Sequence, residues 1–315
     1  MVECDVPARF GEVMAVTCGL AWAVSVVLFR RVGDTDPRAL NLFKNVVASL
    51  LLLITLAVMG QGFDLHRSTE DWTRLLGSSL LGLTVGDTLF FAGLQRIGAS
   101  VAAVTDCTYS PVVLLFSVLL LGEALSPGLL VGLPLVVVGL LVVAWRSEPK
   151  DKSGTSTEVG KPVDRLGVLF AMGGVACSAL GAVLAKPALE RSGLVEATAV
   201  RMVFSSLTLL LWQVASGRTR SSWQLFLPHP RWRWMLPATV MGSYFSMLLW
   251  LGGFKYAPAS TAALLNQLAT IFLLVLSATL GGEVVPARRW AGAAIAFSGA
   301  MVVLAGSHGL SWNPL

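Results

Sequence analysis

The chain has 315 residues, of which 55% are hydrophobic and 13% charged, and its mean hydropathy is +0.74. A soluble globular domain carries roughly 25% charged residues, so this composition excludes a globule that faces water on all sides. The net charge of +5 is not a nucleic-acid footprint, because the Lys and Arg sit in short loops between apolar blocks, the pattern that membrane topology produces.

The apolar blocks have the roughly 17–25 residues needed to cross a bilayer. In chain order they are 11–30, 38–59, 74–95, 99–121, 125–145, 165–187, 195–216, 234–256, 259–280 and 287–306. Backbone groups find no water in lipid, so each block is expected to be a helix. The first follows Glu3 and Asp5 and lacks the positive start and cleavage site of a signal peptide, so it is expected to remain as a helix. Turn chemistry marks the breaks: Gly33 to Pro37 after the first block, Gly60-Gln61-Gly62 after the second, Ser126-Pro127 before the fifth, and Pro228, Pro230 and Pro237 around the start of the eighth. Residues 146–164 are polar and read as a linker. The expected organisation is a first unit at 1–145, the linker at 146–164, a second unit at 165–306 and a tail at 307–315.

The two units are copies of one another. Displaced by 160 positions, Gly82 falls on Gly242, Gly93 on Gly253, Ala99-Ser100 on Ala259-Ser260, Gly122-Glu123 on Gly282-Glu283, and Gly132 and Gly139 on Gly292 and Gly299. Nearer the start of each unit the displacement is 156 or 157, and Gly11 falls on Gly167, Arg30 on Lys186 and Lys44 on Arg201. Each unit holds five blocks, an odd number, so the second copy enters the membrane from the opposite side. The fold class is therefore an all-α polytopic membrane protein of about ten transmembrane helices in two inverted five-helix repeats. Secondary transporters use this arrangement, with the substrate site between the repeats near the midplane.

The stretch from Ala99-Ser100-Val101-Ala102-Ala103 through Pro111 to Gly122-Glu123, with its second copy from Ala259-Ser260-Thr261-Ala262-Ala263 to Gly282-Glu283, resembles the EamA-type unit of the drug/metabolite transporter superfamily. The resemblance covers nearly the whole chain. It implies ten helices around a central cavity and movement of small metabolites or drugs by alternating access, without fixing the substrate. The second copy has Ile271 where the first has Pro111, so only the first is expected to carry a proline kink.

Ionisable groups inside spans are costly and mark candidate sites. Asp87 falls on Met247 and so is not a symmetric scaffold element; it is either a proton-coupling or cation-binding carboxylate, or a structural partner for Lys44 or Arg201. Asp106 falls on Asn266, which is followed by Gln267. Asp106 and Tyr109, three apart, share a helix face, as do Asn266 and Thr270, four apart. These groups either line a cavity or bond between helices. Lys44 and Arg201 are expected to snorkel or to pair structurally, with anionic-substrate binding as the alternative. Arg30 and Lys186 read as helix-end anchors, and Glu123 and Glu283 as structural groups capping the helix that follows each. Trp22, Tyr244 and Trp250 could stack on a substrate. Gly82-xxx-Gly86 and Gly128-xxx-Gly132 allow close helix approach.

His66, His229 and His308 lie outside the blocks, and no HExxH, GxSxG, P-loop or Cys/His metal spacing occurs. The expectation is no enzyme, no cofactor, no metal and no ATPase domain. The four cysteines read as small buried hydrophobes or, for Cys4, a terminal residue. The leading function is a secondary transporter in the plasma (inner) membrane, possible as monomer or homodimer, with a small-molecule substrate and with proton coupling open. A sensor or scaffold without transport, and an intramembrane enzyme using facing carboxylates, are the alternatives. The Lys/Arg count favours termini outside and a cytoplasmic linker, whereas the resemblance implies cytoplasmic termini.

Overall fold

The computed structural model describes residues 9–32, 37–144, 164–216, 223–280 and 286–306; the linker, the tail and Glu283 lie outside them. Ten helices are long and apolar enough to cross a membrane. They are α1 Phe10–Phe29, α2 Ala39–Val58, α3 Thr69–Leu94, α4 Val104–Leu121, α5 Pro127–Ala144, α6 Arg165–Glu190, α7 Leu194–Ala215, α8 Trp232–Tyr256, α9 Ala259–Leu276 and α10 Ala287–Gly306.

The two repeats interlock. The first helix of each leaves its own repeat to pack on the other: α1 lies against α8 and α9, and α6 lies against α3 and α4. Equivalent helices also pair across the pseudo-axis, α2 with α7, α4 with α9 and α5 with α10. Lipid tails give no hydrophobic drive between helices, so close backbone approach through small residues supplies the attraction. Helix α6 presents Gly167, Ala171, Gly174, Ser178 and Gly181 at helical spacing toward α3. A Cβ on Gly93 would lie 2.5 Å from the Ala171 nitrogen, and one on Gly174 would lie 2.5 Å from the Phe90 nitrogen. The α5–α10 pair is tighter still, with Gly128 against Gly306, Gly132 against Gly299 and Gly139 against Gly292 and Ala296.

The helices depart from regularity at matched places. Residues Ser79–Gly86 of α3 and Val240–Phe245 of α8 are wide π-helical turns at the same repeat register. The fourth spans both break. A helix ends at Asp106, Cys107 and Thr108 turn, and helix resumes over Tyr109–Phe116. In the second copy a helix ends at Asn266, Gln267 and Leu268 turn, and helix resumes over Ala269–Leu280. The expected one-sided proline kink is therefore corrected. The copy with Ile271 breaks as well, and Pro111 sits in the first turn of its half-helix, where a missing N–H costs little.

A second correction concerns the expected turn near residues 96–98. Helix runs unbroken from Asp87 to Asp106. The second copy does turn at the equivalent point, where Pro258 stands in place of Gly98 and forces Ala257 into extended backbone (φ −134°, ψ 164°). Without the proline, the first copy keeps its helical hydrogen bonds.

The glycine contacts yield a test. Gly139→Val places a branched side chain where even a Cβ would be 2.3 Å from the Ala296 nitrogen. Overpacking of roughly 1–3 kcal/mol should lower the unfolding midpoint in detergent by about 2–10 °C, read by fluorescence-detected size exclusion after heating; an unchanged midpoint would contradict this packing.

Candidate functional site

Arg201 is the largest fully buried side chain among the described residues. It lies on α7, whose inner face from Ala197 to Met202 is buried, and its backbone carbonyl accepts a 2.6 Å hydrogen bond from the Ser79 hydroxyl of α3. The guanidinium stands 5.4 Å from the centre of the Trp250 ring. Its Nε, Nη1 and Nη2 have no hydrogen-bond partner among the described residues. Gly82 makes the room: a Cβ there would lie 3.7 Å from Nη2. The expectation that Arg201 snorkels to the interface or pairs structurally is thus corrected. Close packing at Gly82 and Gly181 encloses the head group, and no described carboxylate lies within ion-pair distance of it.

Lys44, its counterpart on α2, is placed differently. Its ammonium is 5.9 Å from the centre of the Trp22 ring and interacts electrostatically with Asp87. Asp87 follows directly on the π-turn of α3 and is half-buried, though protein surrounds it deeply. Asp106 is likewise accessible to solvent while enclosed by protein. The two carboxylates are not partners of each other: Asp87 faces Lys44, and Asp106 ends a helix.

The matched breaks meet. The Gln267 side-chain Nε2 donates a 2.9 Å hydrogen bond to the Asp106 carbonyl, so the second broken helix satisfies a backbone acceptor of the first. Beside this tie, Asn266 Oδ1 is buried without a hydrogen-bond partner among the described residues, and Tyr109 meets Trp250 and interacts electrostatically with Arg201. Thr270 is half-buried in the first turn after the second break. On α1, Gly19 admits that break, since a Cβ there would be 3.0 Å from the Ala269 nitrogen. Tyr244 is tied off at 2.7 Å to the Thr55 hydroxyl of α2. Asp106, Tyr109, Arg201 and Gln267, from both repeats, thus lie together beside the matched breaks, while Lys44 and Asp87 form a second pair and Tyr244 is bound to α2. A separate groove between α1 and α10 is lined by Arg9, Glu12, Val13, Thr17 and Met301.

One end of this interior is held shut by ties between the repeats. The Glu123 carboxylate accepts from the Ala259 nitrogen at 2.6 Å, the Ser260 nitrogen at 3.2 Å and the Ser260 hydroxyl at 2.9 Å. It caps α9 of the other repeat. The expectation that it caps the helix after it is corrected; Ser126 performs that task by accepting from the Leu129 nitrogen. Both positions read as alike from sequence, and only the repeat offset from Glu123 to Ala259-Ser260 could have signalled the pairing. Nearby, Arg67 pairs with Glu196 at 2.8 Å, and Arg191 grips Asp71 through Nε and Nη2. The Asp71 carboxylate raises the Arg191 guanidinium above its ordinary pKa. Lys186 does more than anchor a helix end: its buried ammonium donates to the Phe254 and Ala257 carbonyls at 2.8 and 2.7 Å, closing the C-terminus of α8.

Comparison with known proteins agrees with this architecture. Residues 9–145 and 165–305 match the EamA-like transporter family, and the chain belongs to that family. It is 28% identical over 145 residues to an uncharacterized transporter of Archaeoglobus fulgidus, across 45% of this chain and 50% of that one. It is 42% identical over 72 residues to a probable terminal-alkyne amino-acid exporter of Streptantibioticus cattleyicolor, across 22% of this chain and 24% of that one. The matched stretch is thus half the length of the first relative and a quarter of the second. A solved crystal structure of a protein superposes with a TM-score of 0.74 over 94% of this chain and 98% of its own, at 17% identity, which speaks for the fold alone. The protein is an integral membrane protein of a transporter family.

The Glu123 cap can be tested by access. In a chain whose native cysteines are replaced, Thr261→Cys is buried at this end. Glu123→Ala removes charged hydrogen bonds worth about 1.5–3 kcal/mol and should speed labelling of that cysteine by a membrane-impermeant maleimide about tenfold or more. Equal labelling rates in both backgrounds would show that Glu123 does not hold this end closed.

Proposed function

We propose that the protein is a secondary transporter that carries a small organic solute across the plasma (inner) membrane by alternating access between its two repeats. The observation that carries this reading is the grouping of Asp106, Tyr109, Arg201 and Gln267, from both repeats, beside two matched helix breaks. A scaffold has no use for buried groups such as the Arg201 guanidinium and Asn266 Oδ1 that lack a hydrogen-bond partner among the described residues, and each is costly to keep there. Discontinuous helices at a repeat interface are the usual frame of a transporter site.

The ties of Glu123, Arg67 and Asp71 close one end in this conformation, and their release opens it. Each tie joins one repeat to the other, so rocking the repeats breaks them together. The amino-acid exporter named among the relatives supports a small organic solute. Asp87 is the coupling group of this proposal. Its carboxylate faces Lys44, so proton binding there would release the Lys44 charge and link solute movement to a proton gradient.

In reconstituted vesicles, wild-type protein should accumulate a transported solute when a pH gradient is imposed. Asp87→Asn should lower that accumulation at least about tenfold, a loss of ~1.4 kcal/mol in driving, while solute-for-solute exchange persists. Gradient-driven accumulation that survives in Asp87→Asn would remove Asp87 from the coupling role.

A further inference from the structure

We infer that Arg201 is the receptor for a carboxylate group on the transported molecule, with Trp250 and Tyr109 flanking the molecule's organic body. The inference rests on the transport reading and names the substrate class within it: small monocarboxylates, amino acids among them.

The argument starts from charge. A guanidinium stays protonated in proteins and offers five donors in a fixed fork. Arg201 is 0% exposed, and its three nitrogens have no partner among the described residues. The neighbouring cations each meet an internal acceptor. Lys186 holds two carbonyls and Glu190, Arg67 pairs with Glu196, and Lys44 faces Asp87. Arg201 alone among these meets no internal carboxylate, so a mobile anion is the chemistry that completes it.

The surroundings narrow the anion. Trp250 covers one face of the guanidinium at 5.4 Å, which leaves the donor edges free. A carboxylate matches such an edge with two parallel hydrogen bonds. Tyr109 brings a hydroxyl that meets Trp250, and it stands at the start of the half-helix Tyr109–Phe116, whose positive end favours negative charge. One fixed positive charge suits a monoanion, whereas a phosphate dianion would leave charge over. The aromatic rings beside it provide an apolar, flat wall for the rest of the substrate.

The experiment compares matched compounds on the whole protein. Leucine, phenylalanine and tryptophan are set against their methyl esters, their decarboxylated amines and inorganic phosphate. Two readouts are used: flux in proteoliposomes, and the thermal unfolding midpoint of purified protein in detergent. On wild-type protein the acids should raise the midpoint and move, with the esters and amines at least about tenfold weaker on both readouts. Arg201→Gln should lose acid binding about tenfold or more, and Arg201→Lys should keep acid selectivity at reduced affinity because it retains charge but not the fork. The wild-type comparison stands even if a variant fails to fold. Esters, amines or phosphate acting as well as the acids would overturn the assignment and leave transport standing. Acid flux unchanged in Arg201→Gln would overturn it too. A wild-type protein that moves no compound of any class would overturn the transport reading with it.

Discussion

A peptide group that faces lipid must be hydrogen-bonded within its own helix, and this constraint organises the molecule. Turns at Cys107-Thr108 and Gln267-Leu268 free backbone groups at a depth where the bilayer offers them nothing. They can exist only where protein surrounds them. The fold accordingly brings the two broken spans together, and the Gln267 amide bonds the Asp106 carbonyl across the repeat interface. Asp106, Tyr109, Arg201 and Gln267 are gathered around that meeting. The intact helices α5 and α10, whose glycines press backbone on backbone, stand apart from it as a continuous pair.

The inverted repeat supplies the geometry, and departures from its symmetry supply the chemistry. Lys44 and Arg201 are equivalent cations on equivalent helices, yet one faces Asp87 and the other meets no carboxylate among the described residues. The difference traces to Asp87 against Met247. One repeat brings its own counter-charge and the other does not. That asymmetry separates the proposed coupling group from the proposed substrate-binding group. It also makes the interior more than a symmetric seam between two packed bundles.

The spans, the repeat and its inversion were legible in the sequence because hydropathy and matched Gly, Glu and cationic positions report them directly. The interior breaks were not. Cys107-Thr108 and Gln267-Leu268 carry no glycine or proline, so no turn chemistry announces them; the polar pair Asp106 and Asn266, just before each break, was the one available sign. The π-turns at Ser79–Gly86 and Val240–Phe245 leave no hydropathic trace, since they widen a helix without changing its composition. Arg201 was visible as a charge within a span, but its burial was not. A long side chain two turns from a helix end can reach water unless its neighbours forbid it, and here Gly82 and Trp250 belong to helices far away in sequence. Glu123 shows the same limit: the residue was recognised as a cap, but the helix it caps lies in the other repeat.

The central claim is that the repeats move against each other about this interior, and that the end carrying Asp71 and Arg191 must part in every cycle. A reducible cross-link tests it. Asp71 and Arg191 are in direct side-chain contact between the repeats, so cysteines at both positions can be joined by a short bifunctional methanethiosulfonate in proteoliposomes. The account predicts that the joined protein still binds solute, that flux stops, and that reduction restores it. Flux that continues at the uncross-linked rate in fully joined protein would contradict it.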